Sequence, residues 1–181
     1  ASILTSENSL KDAIIPFKPN LDFISGGSGL ASLASLSPDR LMRLRDSIDT
    51  LPKCYDAVFI DCAAGIGDSV LSWVAGSHFL IVAITPSATA LLDAYGLIKV
   101  SLERGFKGEI HVISNMVSTQ AEAETAFSHL NSCSIKFLKK ELIFMGGVKR
   151  DTKIEKALLQ RNPFIFNKEN SPALENLSKI G

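Results

Sequence analysis

The chain has 181 residues, and its 19 basic side chains balance 19 acidic ones. That balance excludes a general electrostatic field drawing it to nucleic acid or an anionic membrane, although not a local patch. No apolar run approaches the ~20 residues that a bilayer requires, and a hydrophobic share of 46% suits one domain with a buried sheet.

The opening residues, ASILTSENSLK, lack the basic-then-apolar order of a secretory signal. Cys54, Cys62 and Cys133 are odd in number and without C-x-x-C spacing, so they read as reduced thiols of a cytoplasmic protein. His78, His111 and His129 are scattered and suggest no metal site. The chain begins with Ala rather than Met, which suits a fragment or a processed chain.

In chain order, residues 9–14 read as a short helix ended by Pro16, and residues 21–25 alternate as a strand does. The glycines at 26–29 follow that strand. They lack the lysine and Ser/Thr of a phosphate-binding loop, so a plain loop is expected there. Ser37-Pro38-Asp39 is a helix start, with an N-cap hydroxyl, Pro at the first position and an acid in the first turn. Leu41, Leu44, Ile48 and Leu51 form its apolar face, with Arg40, Arg43, Arg45, Asp46 and Asp49 in solvent.

Residues 55–70, YDAVFIDCAAGIGDSV, follow. Ala57, Val58, Phe59 and Ile60 form an unbroken apolar run, the mark of a strand covered on both faces. The run ends at Asp61, and a loop of small residues then leads to a helix opening at Asp68. Two readings of Asp61 stay open. It caps a turn, or it is a carboxylate at the carboxyl end of a parallel strand, placed to hold a hydrated Mg²⁺.

The strand–helix alternation then repeats. Residues 79–84 form a strand ending at Thr85-Pro86, Ser87 caps a helix to 103, and Gly105 closes it. Residues 110–114 form a strand ending at Asn115. Residues 119–138 form an amphipathic helix with His129 on its polar face, and residues 142–145 form a further strand before the loop 146–151. Asp151 or Thr152 caps a helix to 160, residues 163–166 are extended, and Ser171-Pro172 opens a last helix. This order predicts an α/β fold: a doubly wound, mainly parallel sheet, in one domain spanning 1–181. Asp61, Thr85, Asn115 and the region of Lys149 would gather at its carboxyl edge.

Four pieces resemble, in order and spacing, the MinD/ParA family of deviant Walker A ATPases. They are YDAVFIDCAAGIGDSV, ITPSATALLDAYGLIK at 84–99, ISNMV at 113–117 and FMGGVKRDTKIEKALLQRNP at 144–163. DAYGLIK at 93–99 and GSGLASLASL at 27–36 resemble the MinD-like regulators of flagellar number and placement (FlhG, FleN, YlxH). The resemblance implies a P-loop NTPase-like, three-layer fold with ATP/ADP and Mg²⁺ as ligands. It implies that Asp61 is the Walker-B aspartate, holding Mg²⁺ through water and helping to order the attacking water. Gly65 would belong to the loop that closes around the γ-phosphate at a dimer interface. Asn115 would read the adenine edge, with Val148, Lys149 and Arg150 against the base; Lys149 stands where the family has Pro. Thr85 and Pro86 match the segment ending the next strand. Asp93 lies near a surface used by partners and the second protomer, or is simply a solvated helix residue.

The family's K-G-G-x-G-K-[ST] loop and the strand after it do not occur in this sequence. The chain is therefore expected to be the C-terminal part of a MinD/ParA-like ATPase domain, lacking the first βαβ elements. Its inner strand edges and apolar faces should then lie open. The implied partners are a second copy across ATP and proteins of the flagellar or cell-pole machinery, with no specific nucleic acid. Any membrane association would use a segment outside this sequence. Two alternatives stand beside the ATPase. One is a non-enzymatic interaction module. The other is a ParA-type partition ATPase, for which Lys136, Lys139 and Lys140 offer only a small basic cluster.

Overall fold

The computed structural model describes residues 13–24, 43, 45–48, 51, 55–160 and 171–180. The glycine loop at 26–29, the helix start at 37–39 and the extended piece at 163–166 lie outside the described residues. The chain folds as two compact units, Ala1–Gly76 and Ser77–Gly181.

In the first unit, β1 (Ile14–Lys18) pairs antiparallel with β2 (Leu21–Ile24). Ile14 therefore opens a strand, where a helix end was expected. The reason is the turn: Pro19 restricts φ and Asn20 adopts a φ of 64°, the residue pair that a type II turn favours. Pro16 is tolerated because a two-stranded hairpin consists only of edges. Tyr55 donates its hydroxyl proton to the Asp22 carboxylate on β2. Residues 43 and 45–48 are helical, as expected.

Residues 57–60 do not form the expected buried strand. They carry no regular secondary structure, and Phe59 is 83% exposed. An apolar run becomes a strand only when a neighbour completes its hydrogen-bond ladder. The described strands all fall into the hairpin or the sheet of the second unit, and the run belongs to neither. The helix after it forms as expected: α1 (Asp68–Ala75) buries Val70, Leu71 and Val74 on one stripe.

The second unit holds a parallel sheet of β3 (Phe79–Ile84), β4 (Glu109–Val117) and β5 (Ile143–Lys149), in the order β3-β4-β5. The connections are α2 (Ala88–Glu103) and α3 (Gln120–Cys133), the latter continued by a π-helical turn, Ser134–Leu138. Helix α4 (Thr152–Leu159) and helix α5 (Pro172–Ile180) follow.

Side-chain caps start α2, α3 and α5, and a glycine ends α2. Ser87 accepts the Ala90 N–H and caps α2. At the far end Gly105 takes a φ of 89°, and its N–H and that of Phe106 reach the carbonyls of Leu102 and Ser101. This Schellman closure has the buried Phe106 as its apolar contact. Thr119 caps α3 by accepting the Glu122 N–H, while Glu122 accepts from Ser118, a near capping box. Ser171 accepts the Leu174 N–H and caps α5.

Two adjacent glycines show that helices cover both faces of the sheet at β5. A Cβ on Gly147 would lie 2.5 Å from Ala123 Cβ of α3, and one on Gly146 would lie 3.1 Å from Ile180 of α5. Successive strand residues face opposite sides, so α3 and α5 lie on opposite faces. Ser114 ties β4 to α3 by donating to the Ala123 carbonyl. The core lies on this α3 side, where Val82, Ile84, Ile110, Val112, Ala123 and Leu130 are all buried. At β3 the outer edge has no strand partner among the described residues, and Phe79 and Ile81 are 60% and 42% exposed.

Candidate functional site

The parallel register brings the carboxyl ends of all three strands to one edge. Ile84 pairs with Ser114, Ser114 with Gly147, Asn115 with Val148 and Val117 with Lys149. Thr85, Asn115, Lys149 and Arg150 thus meet at the edge where open α/β sheets bind ligands. Beyond Thr85, the hydroxyls of Thr85, Ser87 and Thr89 lie within hydrogen-bond reach in sequence, at 3.2 and 3.4 Å.

Two boundaries differ from expectation. Strand β4 continues past Asn115 to Val117, because Met116 adopts a φ of 58° and is accommodated as a bulge. Strand β5 runs to Lys149, so Val148 and Lys149 are strand residues and the chain turns out of the sheet from Lys149 onward. The added β4 residues make this possible: Val117 pairs with Lys149, and its carbonyl accepts the Arg150 N–H at 3.0 Å.

The bulge also orients Asn115. Its Oδ1 accepts the Met116 N–H at 2.8 Å. Only the carbonyl end of the amide can do this, so the NH₂ end is left to donate. Asn115 is exposed, and its Nδ2 makes no hydrogen bond among the described residues. Lys149 and Arg150 beside it are exposed, and Arg150 Nε pairs with Glu155 at 3.3 Å. An amide donor flanked by cationic chains suits the acceptor edge of a purine base.

Asp61 and Gly65 lie in the first unit, on the loop between the apolar run and α1. Both are exposed, and Gly65 adopts a φ of 111°, a conformation that favours glycine. A Cβ there would meet nothing within 4 Å, so the glycine serves the backbone angle and not close packing. Asp61 acts on its neighbour: burial, then the Asp61 charge, push the Cys62 thiol above its ordinary pKa. Cys62 is therefore a protonated, unreactive thiol at neutral pH. No cluster of three or more His, Cys, Asp or Glu able to hold a metal occurs among the described residues. A single carboxylate is nevertheless a fitting donor for Mg²⁺, which keeps several waters and takes other oxygens from phosphates.

Sequence reasoning missed Asn176 and the second partner of Ser171. Asn176 Oδ1 accepts the Lys149 N–H at 3.1 Å. Ser171 Oγ donates to Asp151, whose other carboxylate oxygen accepts the Lys153 N–H. These contacts, together with backbone donation from Ala173, hold the Asp151 carboxyl below its ordinary pKa. Ser171-Pro172 was a visible helix start. A mid-helix Asn gives no sequence signal of a strand partner.

The architecture of the second unit is α/β, with a three-stranded parallel sheet and helices on both faces. No family model matches the sequence. Antiactivator FleN of Pseudomonas aeruginosa is 27% identical over 158 residues, which are 87% of this chain and 56% of FleN. Flagellum site-determining protein YlxH of Helicobacter pylori is 24% identical over 159 residues, 87% of this chain and 53% of YlxH. The chain spans about half the length of these curated relatives. The cell division ATPase MinD of Pyrococcus furiosus superposes with a TM-score of 0.75 at 18% identity, over 99% of this chain and 71% of that one. MinD of Pyrococcus horikoshii, solved with Mg-ADP, gives 0.74 at 20% identity, over 99% and 70%. The chain resembles FleN and YlxH in sequence and has the fold of these MinD structures over most of its length.

Proposed function

We propose that residues 1–181 form the C-terminal part of a MinD-like ATPase domain, in a switch protein that regulates flagellar number or placement. The observation that carries this reading is the edge formed by Asn115, Lys149 and Arg150, where an oriented amide donor stands between two strand ends. Asn115 and the 149–150 turn receive the base. Asp61 holds the metal's water shell and helps order the attacking water, and Gly65 lets the loop backbone approach the γ-phosphate. Bound Mg²⁺ supplies neutralisation of the phosphate charge that develops during transfer. ATP bridges two copies, and its hydrolysis releases them, so turnover sets how long the protein engages its flagellar or cell-pole partners. The similarity to FleN and YlxH supports this branch of the family.

Asp61→Ala in the complete protein is expected to abolish ATP hydrolysis, measured as phosphate release, while the fold stays intact. Undiminished phosphate release would sink the assignment.

A second reading has its own support in the exposed run 57–60 and the open β3 edge. As an isolated piece these 181 residues act as a binding module without nucleotide. Calorimetric titration with Mg-ATP separates the two readings: saturable heat from the complete protein alone is the result expected of an ATPase piece.

A further inference from the structure

Lys149 is the last residue of β5, and β5 is an edge strand among the described residues. One side of its backbone is satisfied by β4. Its N–H is satisfied instead by a side chain, Asn176 Oδ1, at 3.1 Å. Asn176 lies in the middle of α5, where asparagine is a poor helix former. A helix whose only task was to cover β5 would gain from Gln, Glu, Lys or Arg there. The next two residues are held as well. The Arg150 N–H reaches the Val117 carbonyl, and Asp151 binds Ser171 at the start of α5. Helix α5 therefore grips the turn at 149–151 from two points, five residues apart on its own sequence. That turn stands beside Asn115, whose Nδ2 faces away from its own backbone bond.

We propose that Asn176 is a positioning residue for purine recognition: it pins the backbone of Lys149 so that the turn at 149–150 and the Asn115 amide form one base-binding edge. This deepens the nucleotide reading above and rests on it. Asn176 holds the backbone on the base side of this edge, so its effect belongs to the base-dependent share of affinity.

The test uses the complete protein and compares Mg-ATP with Mg-tripolyphosphate, which has no base. Asn176→Ala is expected to weaken Mg-ATP binding roughly three- to ten-fold, the effect of losing one neutral hydrogen bond. Tripolyphosphate affinity should be unchanged. Asn176→Asp keeps the acceptor and should restore ATP affinity. Should the alanine variant fail to fold, Asn176→Gln lengthens the arm by one methylene within an intact helix and should show the same base-dependent loss. Equal loss for both ligands, or no loss for ATP, overturns the positioning role. Failure of the unaltered protein to bind Mg-ATP overturns the nucleotide reading itself, and so tells the two failures apart.

Discussion

Asp151 shows how one carboxylate joins two helices. It caps α4 through the Lys153 N–H and meets the start of α5 through Ser171. The Ser171 hydroxyl is the largest influence holding its pKa below the ordinary 3.8, followed by the Lys153 N–H. A depressed folded-state pKa contributes stability that is fully present above about pH 4 and is lost as pH falls through the folded value. Asp151→Asn should therefore destabilise the protein at neutral pH and flatten its acid unfolding curve below pH 4. Thermal melts across pH 2–7 check this; parallel curves for the two proteins would rule it out. Asp61 and Cys62 make the opposite case, since burial and a neighbouring charge keep that thiol protonated. Asp61 could be picked out from sequence because a carboxylate after an apolar run is a local pattern. Asn176 could not, because its partner lies 27 residues away on another element.

At the scale of elements, helix ends were the most legible features. Ser87, Gly105, Asp151 and Ser171 all act where capping chemistry places them, because a cap needs only its own turn. Strand ends were less legible. Asn115 and residues 148–149 stay in the ladder because each strand lengthens the other, and that mutual support leaves no mark on either stretch. Glycine at 147 records the close approach of α3 to β5. Gly147→Ala would place its Cβ 2.5 Å from Ala123 Cβ, forcing strand and helix apart. Overpacking of this kind costs about 1–3 kcal/mol, so the melting temperature should fall by several degrees. An unchanged melting temperature would show that α3 yields freely. Pairing Gly147→Ala with Ala123→Gly should recover part of the loss.

For the molecule as a whole, the open outer edge of β3 has a consequence for behaviour in solution. Phe79 and Ile81 are exposed on that strand, which has no partner there among the described residues. Unprotected apolar edges favour strand addition between copies. The 181-residue chain should therefore associate as its concentration rises, and Phe79→Lys with Ile81→Lys should suppress this without lowering the melting temperature. Light scattering across a dilution series measures it, and a monomer at every concentration would count against an active edge. No helix among the described residues is long and apolar enough to cross a membrane. The α/β class and the parallel order were legible in the chain, because period, caps and strand-end polarity are local. The state of residues 57–60 was not. Apolar composition offers a strand, but only a neighbouring ladder makes one, and the run forms no strand in its unit. The grip of Asn176 on Lys149 was equally hidden, since a hydrogen bond across 27 residues exists only once β5 and α5 have packed.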